Sequence, residues 1–334
     1  MKKIAKLPLV NAHTHAAMVA FRGVAEDLSL HEWLNDHIWP LEKKNVNHDF
    51  VYKNTKAAIA EMKKNGIRAF ADMYFFEDQV ARAAEELGMH VLVGEAILDF
   101  PSPSYKKTEE AFEITERLLK KYKNNKFVKV AVAPHSIFTV GEKKLERAAK
   151  LAKKYDAPIH AHLAETKREF DDCMAKNKLT PVGYADKRGL LNEKTILAHC
   201  VWLTDEDIQI IAKRGSKVVH CPISNLKLGS GIAPVAKMHE AGITVAIGTD
   251  GAASSNRLDV WEAGKFAALL QKGTENDPRK ISAKVAIRMM TVNGLKALGL
   301  DSIDGKSIAN IEKEIENIDS QHLLYEAHAN EIFQ

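Results

Sequence analysis

Along the chain, short runs rich in Val, Ile and Ala alternate with longer stretches whose apolar residues recur at helical spacing. Eight such runs stand out, at residues 8–13, 67–73, 90–98, 127–133, 158–162, 195–200, 217–221 and 244–248. Most lack polar alternation, the mark of strands buried on both faces. Within 143–155, Leu145, Ala148, Ala149, Ala152 and Tyr155 share one face and lysines take the other, as on a helix laid against a core. Gly66, Gly88, Gly215 and Gly242 each close a helical pattern just before a strand, where glycine stops a helix. Repeated strand–helix units predict an α/β fold, a closed (β/α)8 TIM-type barrel over residues 1–300. An open doubly wound sheet is the alternative, but no G-x-G-x-x-G follows the first strand.

Two segments break the rhythm. Residues 16–48 are long for a strand-to-helix connection. Ser29-Leu30-His31-Glu32 reads as a capping box, which predicts a short helix containing Trp33 and suits a lid or a packed insertion. After Gly299 the pattern lapses, although Ile308, Ile311, Ile315 and Ile318 keep helical spacing; residues 301–334 are expected to be a separate C-terminal tail.

Composition removes several classes. With 46% hydrophobic and 28% charged residues the chain is too apolar for disorder. Forty-eight basic against 44 acidic residues leave only +4, scattered rather than blocked, so no nucleic-acid partner is expected. No apolar run reaches membrane-spanning length. Lys6 and Pro8 interrupt the start too early for a secretion signal, and Cys173, Cys200 and Cys221 make no disulfide framework, so a cytoplasmic protein is expected.

Candidate chemistry lies in the histidines. His13, His15, His135, His162, His199 and His220 fall at or just past predicted strand ends, and Asp250 follows the eighth strand. In a barrel all those ends open on one face. His13 and His15, two apart on a strand, point the same way. With His162 and Asp250 they offer three nitrogens and one oxygen, a set suited to one Zn²⁺ per chain, with Fe²⁺ or Mn²⁺ as alternatives. H-x-H alone is a weak signal; its combination with the other strand ends is not. His160 reads as structural, and His220 as polar lining or support for a ligand. Cys200 and Cys221 should pack outward. Trp33 and Trp39 suit ordinary packing or an aromatic wall for a planar substrate. No lysine ends the fourth strand, Lys129 lying too early, so a carbamate-bridged metal pair is not expected.

The motifs Asn11-Ala12-His13-Thr14-His15, Arg22-Gly23-Val24-Ala25-Glu26-Asp27-Leu28, Ala133-Pro134-His135-Ser136, His162-Leu163-Ala164-Glu165-Thr166, Ala198-His199-Cys200-Val201, Ser224-Asn225-Leu226-Lys227 and Gly248-Thr249-Asp250-Gly251 run in order along the chain. Together they resemble the amidohydrolase superfamily, and more narrowly its 5-methylthioadenosine/S-adenosylhomocysteine deaminases. The resemblance implies a metal-dependent hydrolase barrel with zinc on His13, His15, His162 and Asp250. It also implies Glu165 as proton shuttle, His199 beside the water, Glu42 on the ribose hydroxyls and His135 on the nucleoside. Two features depart from the family. Residues 94–104, after the third strand, carry none of the arginines that often hold the substrate there. The family's small β-sandwich is expected to be absent or rudimentary, with 301–334 as its remnant.

The expected reaction is hydrolytic deamination of a 6-aminopurine nucleoside (5′-methylthioadenosine, S-adenosylhomocysteine or adenosine) to the inosine analogue and ammonia. Zinc makes a bound water acidic, Asp250 and His199 handle that water, and Glu165 protonates the purine N1. The H-x-E and P-C-x-x-C patterns of nucleic-acid deaminases are missing, so the partners are a free nucleoside and water; a homo-oligomer is compatible. Competing substrates in the same site are 6-aminodeoxyfutalosine, guanine or a chlorotriazine. A non-catalytic metal-binding relative is disfavoured by the presence of Glu165 and Asp250.

Overall fold

A computed structural model describes residues 7–326. Each predicted run becomes a strand: β1 (Leu9–Thr14), β2 (Ile67–Tyr74), β3 (His90–Ile97), β4 (Val128–Val130) with its continuation β5 (Ala133–Pro134), β6 (His160–Leu163), β7 (Ile196–His199), β8 (Lys217–His220) and β9 (Val245–Ile247). Every residue of β1, β6, β7 and β9 is buried, which explains why alternation is missing from the sequence.

Pairing is parallel throughout the barrel. One arc runs β1-β2-β3-β4, with β5 also on β3, and the other runs β6-β7-β8-β9. Bridges Val132–Ile159 and Ser136–His162 join the arcs on one side. On the other side the Asp250 amide donates to the His13 carbonyl at 3.0 Å, and Asn11 exchanges hydrogen bonds with Thr249. The predicted barrel is therefore the observed fold. At this second seam a side chain on Gly248 would lie 2.9 Å from His13 Cβ and 2.8 Å from Val219 Cγ1, so only glycine lets β9 approach β1.

Helices cover the outside. The predicted 143–155 helix is Glu142–Tyr155, burying Leu145, Ala148 and Ala152. Gly215 ends the helix Asp205–Arg214 at φ 68°, a conformation glycine adopts without strain. The 16–48 insertion is more helical than expected. A short turn at Ala16–Phe21 precedes a run from Leu30 to Asn45, begun by the Ser29–Glu32 capping box. Within it Trp33–Ile38 has a wide, π-type turn just before Pro40. Proline has no N–H for the carbonyl four residues back, and widening the preceding turn accommodates that loss.

The chain after Gly299 forms a hairpin (Ser302–Ile303 with Lys306–Ser307), then helices Ile308–Glu316 and Ser320–Glu326, which bury Ile311, Ile315, Leu323 and Leu324. Residues 327–334 of the expected tail lie outside the described residues. Among the described residues no helix is long and apolar enough to cross a membrane.

Candidate active site

The C-terminal ends of β1, β6, β7 and β9 bring five side chains to one point. His15 Nε2 lies 3.2 Å from Asp250 Oδ1, His13 Nε2 lies 3.6 Å from the same oxygen, and His162 Nε2 lies 3.4 Å from His15 Nε2. The donor atoms of His13, His162 and His199 fall within 4.8 Å of one another, as do those of His13, His15 and Asp250. The structure thus gathers the four expected ligands and adds His199 to the same cluster.

What aims these rings is a second contact on each. His15 Nδ1 donates to the Met73 carbonyl at 2.5 Å, and His162 Nδ1 donates to the His135 carbonyl at 2.9 Å. His199 Nδ1 meets Asn225 Oδ1 at 2.7 Å, and His13 Nδ1 meets His160 Nε2 at 2.9 Å. A carbonyl partner places the proton on Nδ1 and turns the Nε2 lone pair inward. Asp250 is fixed likewise: Ser224 Oγ donates to Oδ2 at 2.6 Å and the Gly251 amide to Oδ1 at 2.7 Å. Ala164, His199 and Asp250 all have left-handed backbone, at φ 53°, 75° and 65°. Such geometry collects at sites that redirect a chain sharply.

Electrostatics fits a cation. Burial, then the neighbouring imidazoles, hold His13 and His162 well below the ordinary histidine range. At His15 burial opposes the charge, but Asp250 outweighs it and lifts the ring to about 9. Burial likewise opposes the Asp250 charge, yet His15 holds this carboxyl well below its usual range. The attraction of this pair for a proton is one that a bound metal would take over. His13 Nε2 is buried without a hydrogen-bond partner, an acceptor left for a metal.

The remaining candidates surround a cavity lined by His15, Trp33, Glu42, His135, His162, Glu165, His199 and Asp250 among others. Glu165 Oε2 lies 3.8 Å from His199 Nε2, and burial raises its carboxyl more than His199 lowers it. Glu42 is 5% exposed, and burial pushes its carboxyl to about 7 against the Tyr74 hydroxyl and His15. His135 packs on His162 with ring centroids 4.7 Å apart, and burial holds it neutral, down to about 3. Trp33 is nearly buried with its indole N–H unpaired.

Some positions support rather than face the cavity. His160 braces His13 from below. His220 is buried with neither nitrogen hydrogen-bonded, and Cys200 and Cys221 lie in the apolar core. Two supports escaped the sequence reading. Asn225 orients His199, and Glu169 accepts the amides of Ala164 and Glu165 at 3.0 and 2.8 Å. The signal for Glu169 is Thr166-Lys167-Arg168-Glu169, a cap pattern directly after Glu165.

Residues 7–310 match the amidohydrolase family model, and the chain belongs to that family. It is 45% identical over 303 residues to a 5-methylthioadenosine/S-adenosylhomocysteine deaminase of Thermodesulfovibrio yellowstonii, covering 91% of this chain and 68% of the relative. It is 43% identical over 296 residues to a 5′-deoxyadenosine deaminase of Methanothermobacter thermautotrophicus, covering 88% and 69%. The crystal structure of an adenosine deaminase from Xanthomonas campestris with bound zinc superposes with a TM-score of 0.91 at 37% identity, covering 97% of this chain and 76% of that one. The resemblance drawn from the motifs agrees with these matches. The imidazole–carboxylate cluster is a site for a divalent metal.

Proposed function

We infer that the protein is a hydrolytic deaminase that converts a 6-aminopurine nucleoside to its inosine analogue and ammonia. Its metal is one zinc per chain on His13, His15, His162 and Asp250. The supporting observation is a pairing at one end of the cavity. There the cluster of imidazole nitrogens and the Asp250 carboxylate meets a buried carboxyl, Glu165, whose proton affinity is raised. A bound zinc supplies an activated water at neutral pH, lowering its pKa to about 7.

The chain's own residues complete the reaction. Glu165, whose proton affinity burial raises, gives a proton to purine N1 and makes C6 electrophilic. Asp250 accepts a proton from the attacking water, and His199, held by Asn225, orients that water. Glu165, now a carboxylate, takes the remaining proton of that oxygen and passes it to the departing amine, and the proton held by Asp250 restores Glu165. Over the cycle the water oxygen becomes O6; one of its protons replaces the one Glu165 gave to N1, and the other departs with ammonia. Glu42 accepts hydrogen bonds from the ribose 2′ and 3′ hydroxyls, and His135 contacts the nucleoside. The unpaired Trp33 N–H is a donor for a polar atom of the bound substrate.

Guanine and chlorotriazines have no ribose and would offer the buried Glu42 carboxyl no vicinal hydroxyls beyond its Tyr74 and His15 neighbours, which favours a riboside. The test is a screen of adenosine, 5′-methylthioadenosine, 5′-deoxyadenosine and S-adenosylhomocysteine for loss of the 6-aminopurine chromophore, before and after chelation and zinc return. Turnover that disappears with the metal and returns with one equivalent supports the reading. No turnover of any of them, or a requirement for two equivalents, overturns it.

A further inference from the structure

The cavity has two unlike ends. One holds the imidazoles and carboxylates. The other, where the cavity opens into a wider groove, is walled by Leu30, Leu34, Trp39, Phe138 and Leu228, the residues common to both spaces. With C6 at Glu165 and the ribose at Glu42, the substituent on C5′ falls at this threshold; that placement rests on the deaminase reading above. Trp39 packs on Phe100 with centroids 5.3 Å apart, and Phe138 is 51% exposed at the rim, so the threshold presents aromatic and aliphatic surface.

Charge is distributed just as unevenly. Among the described residues no lysine or arginine lines the cavity, whereas Glu42, Glu165 and Asp250 do. In the groove beyond, Lys167 pairs with Asp171 at 2.6 Å and Arg168 with Asp172 at 3.6 Å, and Glu32 and Asp99 face the same space. Lys176 lies nine residues past Lys167 on the helix Lys167–Asn177, about 14 Å farther along its axis. A 5′ carboxylate or phosphate would give up water at an apolar wall, and the groove's Lys167 and Arg168 already share ion pairs with Asp171 and Asp172. A methyl or methylthio group gives up nothing and gains dispersion contact, with the added attraction of sulfur for aromatic rings.

We propose that this threshold, formed chiefly by Leu34, Trp39 and Phe138, selects nucleosides with a small, uncharged, apolar 5′ substituent and discriminates against 5′ groups that carry a carboxylate or phosphate. The substrate class is the 5′-deoxy and 5′-alkylthio adenosines rather than adenosyl amino acids or nucleotides.

The test compares kcat/KM for 5′-methylthioadenosine, 5′-deoxyadenosine, S-adenosylhomocysteine and adenosine 5′-phosphate on the unaltered enzyme and on Phe138→Arg. Loss of a methyl-sized apolar contact costs about 10–200-fold, and a charge without a partner costs more. The first two substrates are therefore expected to exceed the last two by at least about tenfold. Phe138→Arg, at a half-exposed position the fold does not depend on, should raise the ratio of S-adenosylhomocysteine to 5′-methylthioadenosine by about tenfold. Leu34→Lys places a cation on the facing wall and should shift the ratio in the same direction. A smaller preference in the unaltered enzyme, or ratios unmoved in both variants, overturns the inference while the deaminase reading stands. Absence of deamination on all four substrates overturns both.

Discussion

The two halves of the cavity are built differently. The metal end rests on strand termini: His13 on β1 and His15 just past it, His162 on β6 and His199 on β7, with Asp250 just past β9, each held by a second hydrogen bond or brace. The substrate end rests largely on one inserted helical run, Leu30 to Asn45, whose Trp33, Leu34, Trp39 and Glu42 face the cavity without strand support. Strand ends in a barrel place atoms within tenths of an ångström, as metal and proton chemistry require. An insertion tolerates change and suits specificity. Substitutions at the metal end should therefore abolish chemistry, and those at the insertion should shift binding.

The largest effect is expected from His162→Ala. It removes a ligand and leaves the inward nitrogens of His13 and His15 without their neighbour, so metal analysis should find the protein substantially depleted and turnover gone. Full metal with retained activity would break the assignment of His162. Next comes Glu165→Gln, which keeps size and much of the hydrogen bonding but cannot carry a proton. Its kcat should fall by about 10²–10⁴-fold with metal content unchanged. A near-normal kcat would mean that Glu165 only shapes the end of β6.

The same contrast governs how much was readable from sequence. The strands were legible because both faces are buried, and His13-Thr14-His15 was legible because a strand's two-residue period puts both rings on one side. Motif order along the chain pointed to the family. What stayed hidden depends on distant partners: nothing local to Asn225 announces that it orients His199, 26 residues away. Left-handed Ala164 has no sequence mark at all, since alanine ordinarily avoids that region. The break between β4 and β5 at Ala131 and Val132, and the run of helix beyond Trp33, likewise reflect packing and a wide turn before Pro40 rather than periodicity.

Glu42, at the insertion, should show an intermediate effect with a distinctive pH signature. Burial places its carboxyl near 7, with Tyr74 and His15 facing it. The ionised form accepts from both ribose hydroxyls, so kcat/KM for ribosides should fall as pH drops below about 7. In Glu42→Gln the limb due to Glu42 should vanish, with KM raised at every pH. Stability should move the opposite way. A carboxyl raised from 4.5 favours the neutral form in the folded state, and that contribution is full below 4.5 and lost as pH rises through 7. Glu42→Gln should then match the unaltered protein in thermal melts at pH 4 and exceed it at pH 8. If 2′,3′-dideoxy nucleosides react as well as ribosides, Glu42 has no role at the ribose.

The smallest effect makes the sharpest comparison, because the molecule carries the same device in both settings. Ser29 and Glu32 form a capping box at the start of the insertion helix, and Thr204 and Asp207 form another on the barrel helix Asp205–Arg214. Removing either cap hydroxyl by substitution to Ala should cost about 1 kcal/mol. On the barrel helix that loss is shared with the packing of Ile208 and Ile211 into the core, so Thr204→Ala should lower the melting temperature and leave KM alone. The first turn at Leu30–Glu32 buries nothing, so Ser29→Ala should instead raise local opening. Amide exchange across 30–38 should accelerate about fivefold, the equivalent of that 1 kcal/mol, with a matching modest rise in KM and little change in melting. Equal shifts in melting for the two variants, with exchange at 30–38 unmoved, would mean that the insertion is as rigidly tied to the barrel as its own helices.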